Sequence, residues 1–220
     1  MKRELLLTAD GSHTIAIPDL KVTYHSTHGA IQESLHVFIQ AGLQVMQAPL
    51  VRIFEMGFGT GLNALLTMKY ATTPVYYYSV ERFPLTDEEV AGLSYGNTLH
   101  QYPWNEDVKI SEQFTLHKAH GSLLAITPLQ TFHLIYYDAF APAAQPELWT
   151  KEVFEKLYSF LEPGGILVTY CSKGDVRRAM LAAGFIVEKL AGPSGKREML
   201  RARRPSQLPD DLNDKCPNRS

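Results

Sequence analysis

Cysteine is scarce in this chain of 220 residues: only Cys171 and Cys216 occur. With no CxxC pair and no Cys/His cluster, neither a disulfide framework nor a structural zinc site is supported. No apolar run approaches the ~18 residues of a membrane span. The opening Met1-Lys-Arg-Glu-Leu-Leu-Leu carries Glu4 and too short an apolar run for a signal peptide. Neither sign of charge dominates, since 21 basic residues face 23 acidic ones for a net charge of −2. That balance does not announce a nucleic-acid binder. A reduced, cytoplasmic protein with no membrane association is expected. An apolar share of 45% and a charged share of 20% are ordinary for a globular domain, and 220 residues need no covalent staples.

What the chain does have is a change of rhythm near residue 45. Before it, short alternating runs at Glu4–Thr8, Thr14–Ile17 and Lys21–Tyr24, broken by Asp10-Gly11, predict small strands. Ile31, Leu35, Phe38 and Ile39 then recur at helical spacing over Ala30–Ala41, which Gly42 ends. Beyond it, apolar strands at Val51–Met56, Val75–Glu81, Phe114–Lys118, Phe132–Asp138, Ile166–Cys171, Phe185–Leu190 and Glu198–Ala202 alternate with helical segments. The helices are expected at Leu62–Tyr70, Thr86–Gly92, Ser122–Ile126, Pro146–Leu161 and Asp175–Ala183. Such alternation implies an α/β fold whose parallel sheet is covered on both faces. Only Ala191-Gly-Pro-Ser-Gly195 separates the last two strands, too short a link for a parallel crossover, so they should pair antiparallel. The expected organisation is an accessory piece at 1–45, a main domain at 46–204 and a polar, disordered tail at 205–220.

Glu55-Met-Gly57-Phe-Gly59-Thr-Gly61-Leu-Asn63 leaves the first main strand and enters a helix. In that context a glycine-rich turn brings backbone close to a ligand. Its third glycine comes one residue too early for the dinucleotide fingerprint, which argues against a nicotinamide enzyme. E-x-G-x-G-x-G is instead the pattern of S-adenosylmethionine sites, making Glu55, Gly57, Gly59, Gly61 and Asn63 candidate cofactor residues. Glu81 ends the next strand, twenty residues after Gly61, where a carboxylate accepts both hydrogen bonds of a ribose diol. An acid for the adenine amino group is missing after the third strand. His120 stands there instead, and either its ring nitrogen or apolar contacts alone would serve.

Asp138 ends the fourth strand in Asp138-Ala-Phe140-Ala-Pro142. Ligands of open α/β sheets sit beyond the carboxyl ends of the strands, so this acid falls at the reacting end. An acid followed by an aromatic suits a nitrogen acceptor, the acid orienting the amine and Phe140 packing on it or on the sulfonium. The alternatives are a helix cap for Asp138 and a core position for Phe140. From Gly165 to Pro205 nine basic residues outweigh three acidic ones, fitting either a phosphate-facing surface or a solvated face.

The strings Met56–Asn63, Ser79–Thr86, Asp138–Pro142, Pro146–Thr150 and Gly195–Met199, in this order, resemble the methyltransferase module of the MnmC-type tRNA wobble-uridine enzymes. Tyr24-His-Ser26 and Glu33–Phe38 look like the leading segment of that family, and the resemblance spans Val22 to Ala202. It implies a Rossmann-like class I S-adenosylmethionine-dependent methyltransferase with a mostly parallel seven-stranded sheet, a terminal antiparallel hairpin and a small N-terminal hairpin/helix extension. The implied reaction is N-methylation of the 5-aminomethyl group of (2-thio)uridine at the tRNA wobble position, with Asp138 as the catalytic acid of the family. Arg177, Arg178, Lys196 and Arg197 become expected contacts to the anticodon loop. In bifunctional members an FAD-dependent oxidoreductase is fused to this module. Here the stand-alone form is expected, with that enzyme acting upstream as a separate protein. The competing readings are a small-molecule amine methyl or aminopropyl transferase and a non-catalytic S-adenosylmethionine-binding partner in tRNA modification.

Overall fold

A computed structural model describes residues 2–95 and 98–206; the expected tail lies, from residue 207 on, outside the described residues. At the front, β1 (Glu4–Leu7), β2 (His13–Ile17) and β3 (Val22–Thr23) form a three-stranded antiparallel sheet. The helix that follows opens as α1 (Ala30–Ser34) and continues as a π-helical turn over Leu35–Gln40. That wider turn buries the consecutive residues Val37, Phe38 and Ile39 together.

The main sheet contains β4 (Val51–Met56), β5 (Val75–Glu81), β6 (Asp107–Ser111), β7 (Phe114–His120), β8 (Phe132–Tyr137), β9 (Leu161–Thr169), β10 (Ile186–Ala191) and β11 (Glu198–Arg203). Its order is β10-β11-β9-β8-β4-β5-β7-β6. The five strands from β9 to β7 are parallel, and β11 lies antiparallel between β9 and β10. The expected parallel core and closing hairpin are therefore present, but the sheet has eight strands rather than seven. The additional β6 pairs antiparallel with β7 at the edge. Its sequence, DVKIS, alternates between exposed and half-buried positions, so no apolar run announced it.

Side-chain alternation along the strands divides the core. Phe54, Ile135, Tyr137 and Leu167 pack beneath α4 (Lys151–Phe160) and α5 (Gly174–Ala182). Their neighbours Ile53, Leu134, Tyr136 and Val168 face the α1 side and α2 (Leu62–Tyr70). Two expected helices differ from the structure. Ser122–Ile126 forms only a hydrogen-bonded turn, after which Pro128 bars extension. The segment Pro146–Leu161 divides into a 3-10 turn at Pro146–Leu148 and α4, because extended Thr150 caps α4 by accepting from the Val153 N–H. Between β5 and β6, α3 (Asp87–Ala91) opens with a Thr86/Glu89 capping box. Among the described residues no helix is long and apolar enough to cross a membrane.

Candidate active site

Chain order reverses at β4, which has β5 on one side and β8 on the other. A cleft opens beyond the C-terminal ends of these strands, lined among others by Gly57, Gly59, Asn63, Glu81 and Asp138. The glycine turn forms its inner wall. Gly57 and Gly59 have φ of +89° and +51°, and a Cβ on Gly59 would lie 2.9 Å from Cδ1 of Tyr24. The turn therefore needs glycine for its conformation and for the close approach of the roof. Gly61 is the N-cap of α2 and provides no side-chain cap, leaving first-turn N–H groups available to an anion.

Glu81 accepts from the Gly59 N–H at 3.1 Å on one oxygen and from the Phe83 N–H at 2.7 Å on the other. Both oxygens are thus fixed while each retains a lone pair, which suits a vicinal diol. Arg82, Phe83, Leu123 and Leu124 line the cleft near Glu81, whereas His120 is exposed, leans on Trp104 and is absent from the lining. The expectation that His120 lines the site is thereby corrected: it stands outside the cleft, whose walls near Glu81 are Phe83, Leu123 and Leu124 together with the charged Arg82. Glu55 is corrected too. It points into the core, fully buried, and accepts from Ser79 Oγ at 2.7 Å rather than reaching the cleft.

Asn63 Nδ2 donates to Asp138 Oδ2 at 2.9 Å, so the first turn of α2 holds the acid from β8. Asp138 is gripped by this side chain in the cleft and does not behave as a helix cap. Burial pushes its carboxyl up to about 7; the Glu33 carboxylate adds to the rise, and the Asn63 hydrogen bond and Lys196 ammonium oppose it. Phe140 also lines the cleft, with Tyr24 edge-on at 5.2 Å between ring centres.

The small N-terminal sheet is the roof, and sequence reasoning gave its residues no individual role. Arg3, Ile17, Leu20, Tyr24 and His25 all line the cleft. Arg3 fastens the roof by donating to Glu89 at 2.9 Å and to the Phe83 carbonyl at 2.7 Å. His25, buried and pushed down to about 4 by that burial, shares a 2.8 Å hydrogen bond with Thr60 Oγ1 of the glycine turn. The only forward signal was the Tyr24-His-Ser26 string, which spacing alone could not place over a turn thirty-five residues later.

The basic region is less available than its count suggests. Lys196 forms an ion pair with Glu33 and its ammonium lies 4.0 Å from the centre of the Tyr170 ring, so its charge is already engaged within the protein. Arg178 pairs with Asp175, Arg201 with Glu188 and Lys189 with Glu198. Arg177 and Arg197 have no carboxylate partner among the described residues.

Comparison with known proteins agrees with this geometry. Residues 89–205, just over half of the chain, match the family described as S-adenosyl-L-methionine-dependent methyltransferase. The chain is 32% identical to the tRNA 5-methylaminomethyl-2-thiouridine biosynthesis bifunctional protein MnmC of Methylobacillus flagellatus, over 82% of its own length. It spans about a third of that relative, at 32% of its length. Among solved structures, MnmC2 from Aquifex aeolicus is similar with a TM-score of 0.78 and 26% identity, covering 94% of this chain and 72% of the other. Spermidine synthase from Thermotoga maritima shares the fold, with a TM-score of 0.60 at 12% identity over 94% and 70% of the two chains. The glycine turn, the doubly anchored Glu81 and the apolar walls fit the cofactor that this family uses. The chain belongs to the family of S-adenosyl-L-methionine-dependent methyltransferases.

Proposed function

We propose that this protein methylates the primary amine of a 5-aminomethyl group on the wobble (2-thio)uridine of tRNA. The observation that carries the reading is Asp138: a carboxylate held by Asn63 in a cleft shared with the glycine turn, Glu81 and Phe140. Similarity to a relative named for 5-methylaminomethyl-2-thiouridine biosynthesis supports the choice of substrate.

In this reading the accessory piece at 1–45 supplies, through its small sheet, the roof of a methyltransferase body at 46–204. Glu81 takes the ribose diol, the turn at Gly57–Gly61 receives the amino-acid portion, and Phe83, Leu123 and Leu124 flank the adenine. S-adenosylmethionine supplies an electrophilic methyl group on a cationic sulfur that leaves as a neutral thioether. Asp138 accepts an N–H of the incoming amine, turns its lone pair toward the cofactor side, and offsets the positive charge that alkylation leaves on nitrogen. Its raised pKa also helps to take the surplus proton. Moving a proton from an amine near 10.4 to an ordinary carboxylate costs about 9 kcal/mol, and to an acid near 7 about 5 kcal/mol. Phe140 and Tyr24 exclude water from this contact. An FAD-dependent oxidoreductase acting earlier on the same base would expose the amine, and the work would take place on cytoplasmic tRNA.

Transfer of a labelled methyl group to tRNA bearing 5-aminomethyluridine, with unmodified tRNA and free polyamines in parallel, tests this function. Label is expected only in the modified tRNA. Label in the polyamines with none in tRNA would assign the protein to small-molecule amine chemistry instead.

Arg177 and Arg197 extend the reading to the anticodon loop. Replacing both with Ala should weaken tRNA binding and reduce the slope of log affinity against log salt by about 1.4 to 1.8, with S-adenosylmethionine affinity unchanged. An unaltered slope would remove both side chains from the RNA contact.

A further inference from the structure

Behind Asn63 lies a buried polar cluster in which Glu55 and Tyr77 have no task in the proposed chemistry. Glu55 of β4, Tyr77 of β5 and Asn63 of α2 are each at most 2% exposed. Ser79 Oγ satisfies one oxygen of Glu55 at 2.7 Å. Glu55 Oε1, Asn63 Oδ1 and Tyr77 Oη are buried with no hydrogen-bond partner. Two of these three atoms are bare acceptors on neighbouring side chains, a costly arrangement in a core.

The Tyr77 hydroxyl is itself a donor from which Glu55 can accept in either charge state, but only a proton on Glu55 reconciles the two acceptors. A carboxylic acid at Glu55 donates from Oε1 to Asn63 Oδ1, and two orphaned atoms become partners. The Asn63 amide then has a defined orientation, with Nδ2 directed at Asp138, as observed at 2.9 Å. We propose that Glu55 is a neutral carboxylic acid that donates to Asn63 Oδ1 and thereby fixes the amide that holds Asp138. It is a positioning residue for methyl transfer, and this role rests on the assignment of Asp138 above.

The surroundings favour the neutral form. Facing Glu55 are Ser79 and Tyr77 from β5, Asn63 from α2, Tyr136 from β8 with Thr67 of α2 on its hydroxyl, and Asp138 beyond β8; none is a cation. Burial pushes the Glu55 carboxyl up to about 8, with the Asp138 charge adding to the rise and the Ser79 hydrogen bond opposing it. Once the proton is lost, a carboxylate meets Asn63 Oδ1. Rotation of the amide would relieve that contact by turning Nδ2 toward Glu55 and Oδ1 toward Asp138. Asp138 then loses its donor, and activity falls above pH about 8.

Two substitutions separate this role from simple packing. Glu55→Gln can donate to Asn63 Oδ1 and accept from Ser79 at any pH. It is expected to support transfer near pH 7 and to lack the alkaline fall of the parent. Glu55→Leu fills the space without donating, and should lower kcat about 10-fold with S-adenosylmethionine affinity within about twofold, the scale of one lost hydrogen bond. Two further readouts need no tRNA. Difference infrared spectra should show a protonated carboxyl near pH 7 that Glu55→Gln removes. Because the folded-state value is raised, stability from Glu55 is present below the unfolded value near 4.5 and lost as pH rises through about 8. The Tm advantage of Glu55→Gln over the parent should therefore grow across that window. Absence of the infrared band, or an alkaline fall that persists in Glu55→Gln, overturns the proposal. Failure of tRNA methylation in the parent would overturn the substrate assignment while leaving the infrared and Tm results to judge Glu55, even if the leucine variant does not fold.

Discussion

Asp138→Asn is expected to lower kcat for methyl transfer by about 10²- to 10⁴-fold while S-adenosylmethionine binds with nearly parental affinity. Asparagine preserves shape and can still accept one hydrogen bond from an amine. It carries no negative charge to offset the alkylated nitrogen and cannot take the surplus proton. Cofactor contacts proposed for Glu81 and the glycine turn lie on other elements, so isothermal titration should separate the two effects. The pH profile provides an independent check. Asp138 must be ionised to grip the amine, and its value near 7 puts a rising limb of kcat around neutrality. Together with the fall proposed for Glu55 near 8, the parent should show a narrow bell whose apparent limits belong to the coupled pair. Near-parental turnover in Asp138→Asn would show that the carboxylate is only structural.

Glu81→Ala should raise the Kd for S-adenosylmethionine by about 10²- to 10³-fold, reflecting loss of two hydrogen bonds from a charged acceptor to a diol. The effect is larger than for an ordinary rim residue because Glu81 also holds its surroundings. Gly59 and Phe83 both donate their N–H groups to it, so truncation releases the glycine turn as well as the ligand contact. Glu81→Gln, which keeps one acceptor oxygen, should fall between the two. Fluorescence or calorimetric titration of cofactor alone gives the measurement. An unchanged Kd in Glu81→Ala would move the ribose site elsewhere in the cleft.

The parts of the fold that could be read in the linear chain were those with strong local signals. β4, β5 and the α2 that follows the glycine turn fall where apolar runs and Gly57–Gly61 put them. The closing hairpin followed from a five-residue link. Segments with weak or conflicting signals depart from expectation: β6 is polar and peripheral, Ser122–Ile126 is cut short before Pro128, and Thr150 interrupts the apolar spacing of one long helix. Glu55 and Asn63 share one glycine-turn string, but only strand direction shows that Glu55 faces the core and Asn63 meets Asp138.

Local pattern along the chain was enough for the alternation of strands and helices, the cofactor class implied by glycine spacing, and the acids at the ends of β5 and β8. All of these depend on residues close together along the chain. Folding was needed to bring the N-terminal sheet over the cleft through His25 and Thr60, and to pair Lys196 with Glu33. It also removed His120 from the cleft and left Glu55 facing Asn63 without a partner for Oε1. The physical reason is that charge pairing, desolvation and hydrogen-bond satisfaction depend on neighbours brought together by folding. Lys196 and Glu33, 163 positions apart, have no local pattern that could announce their pairing.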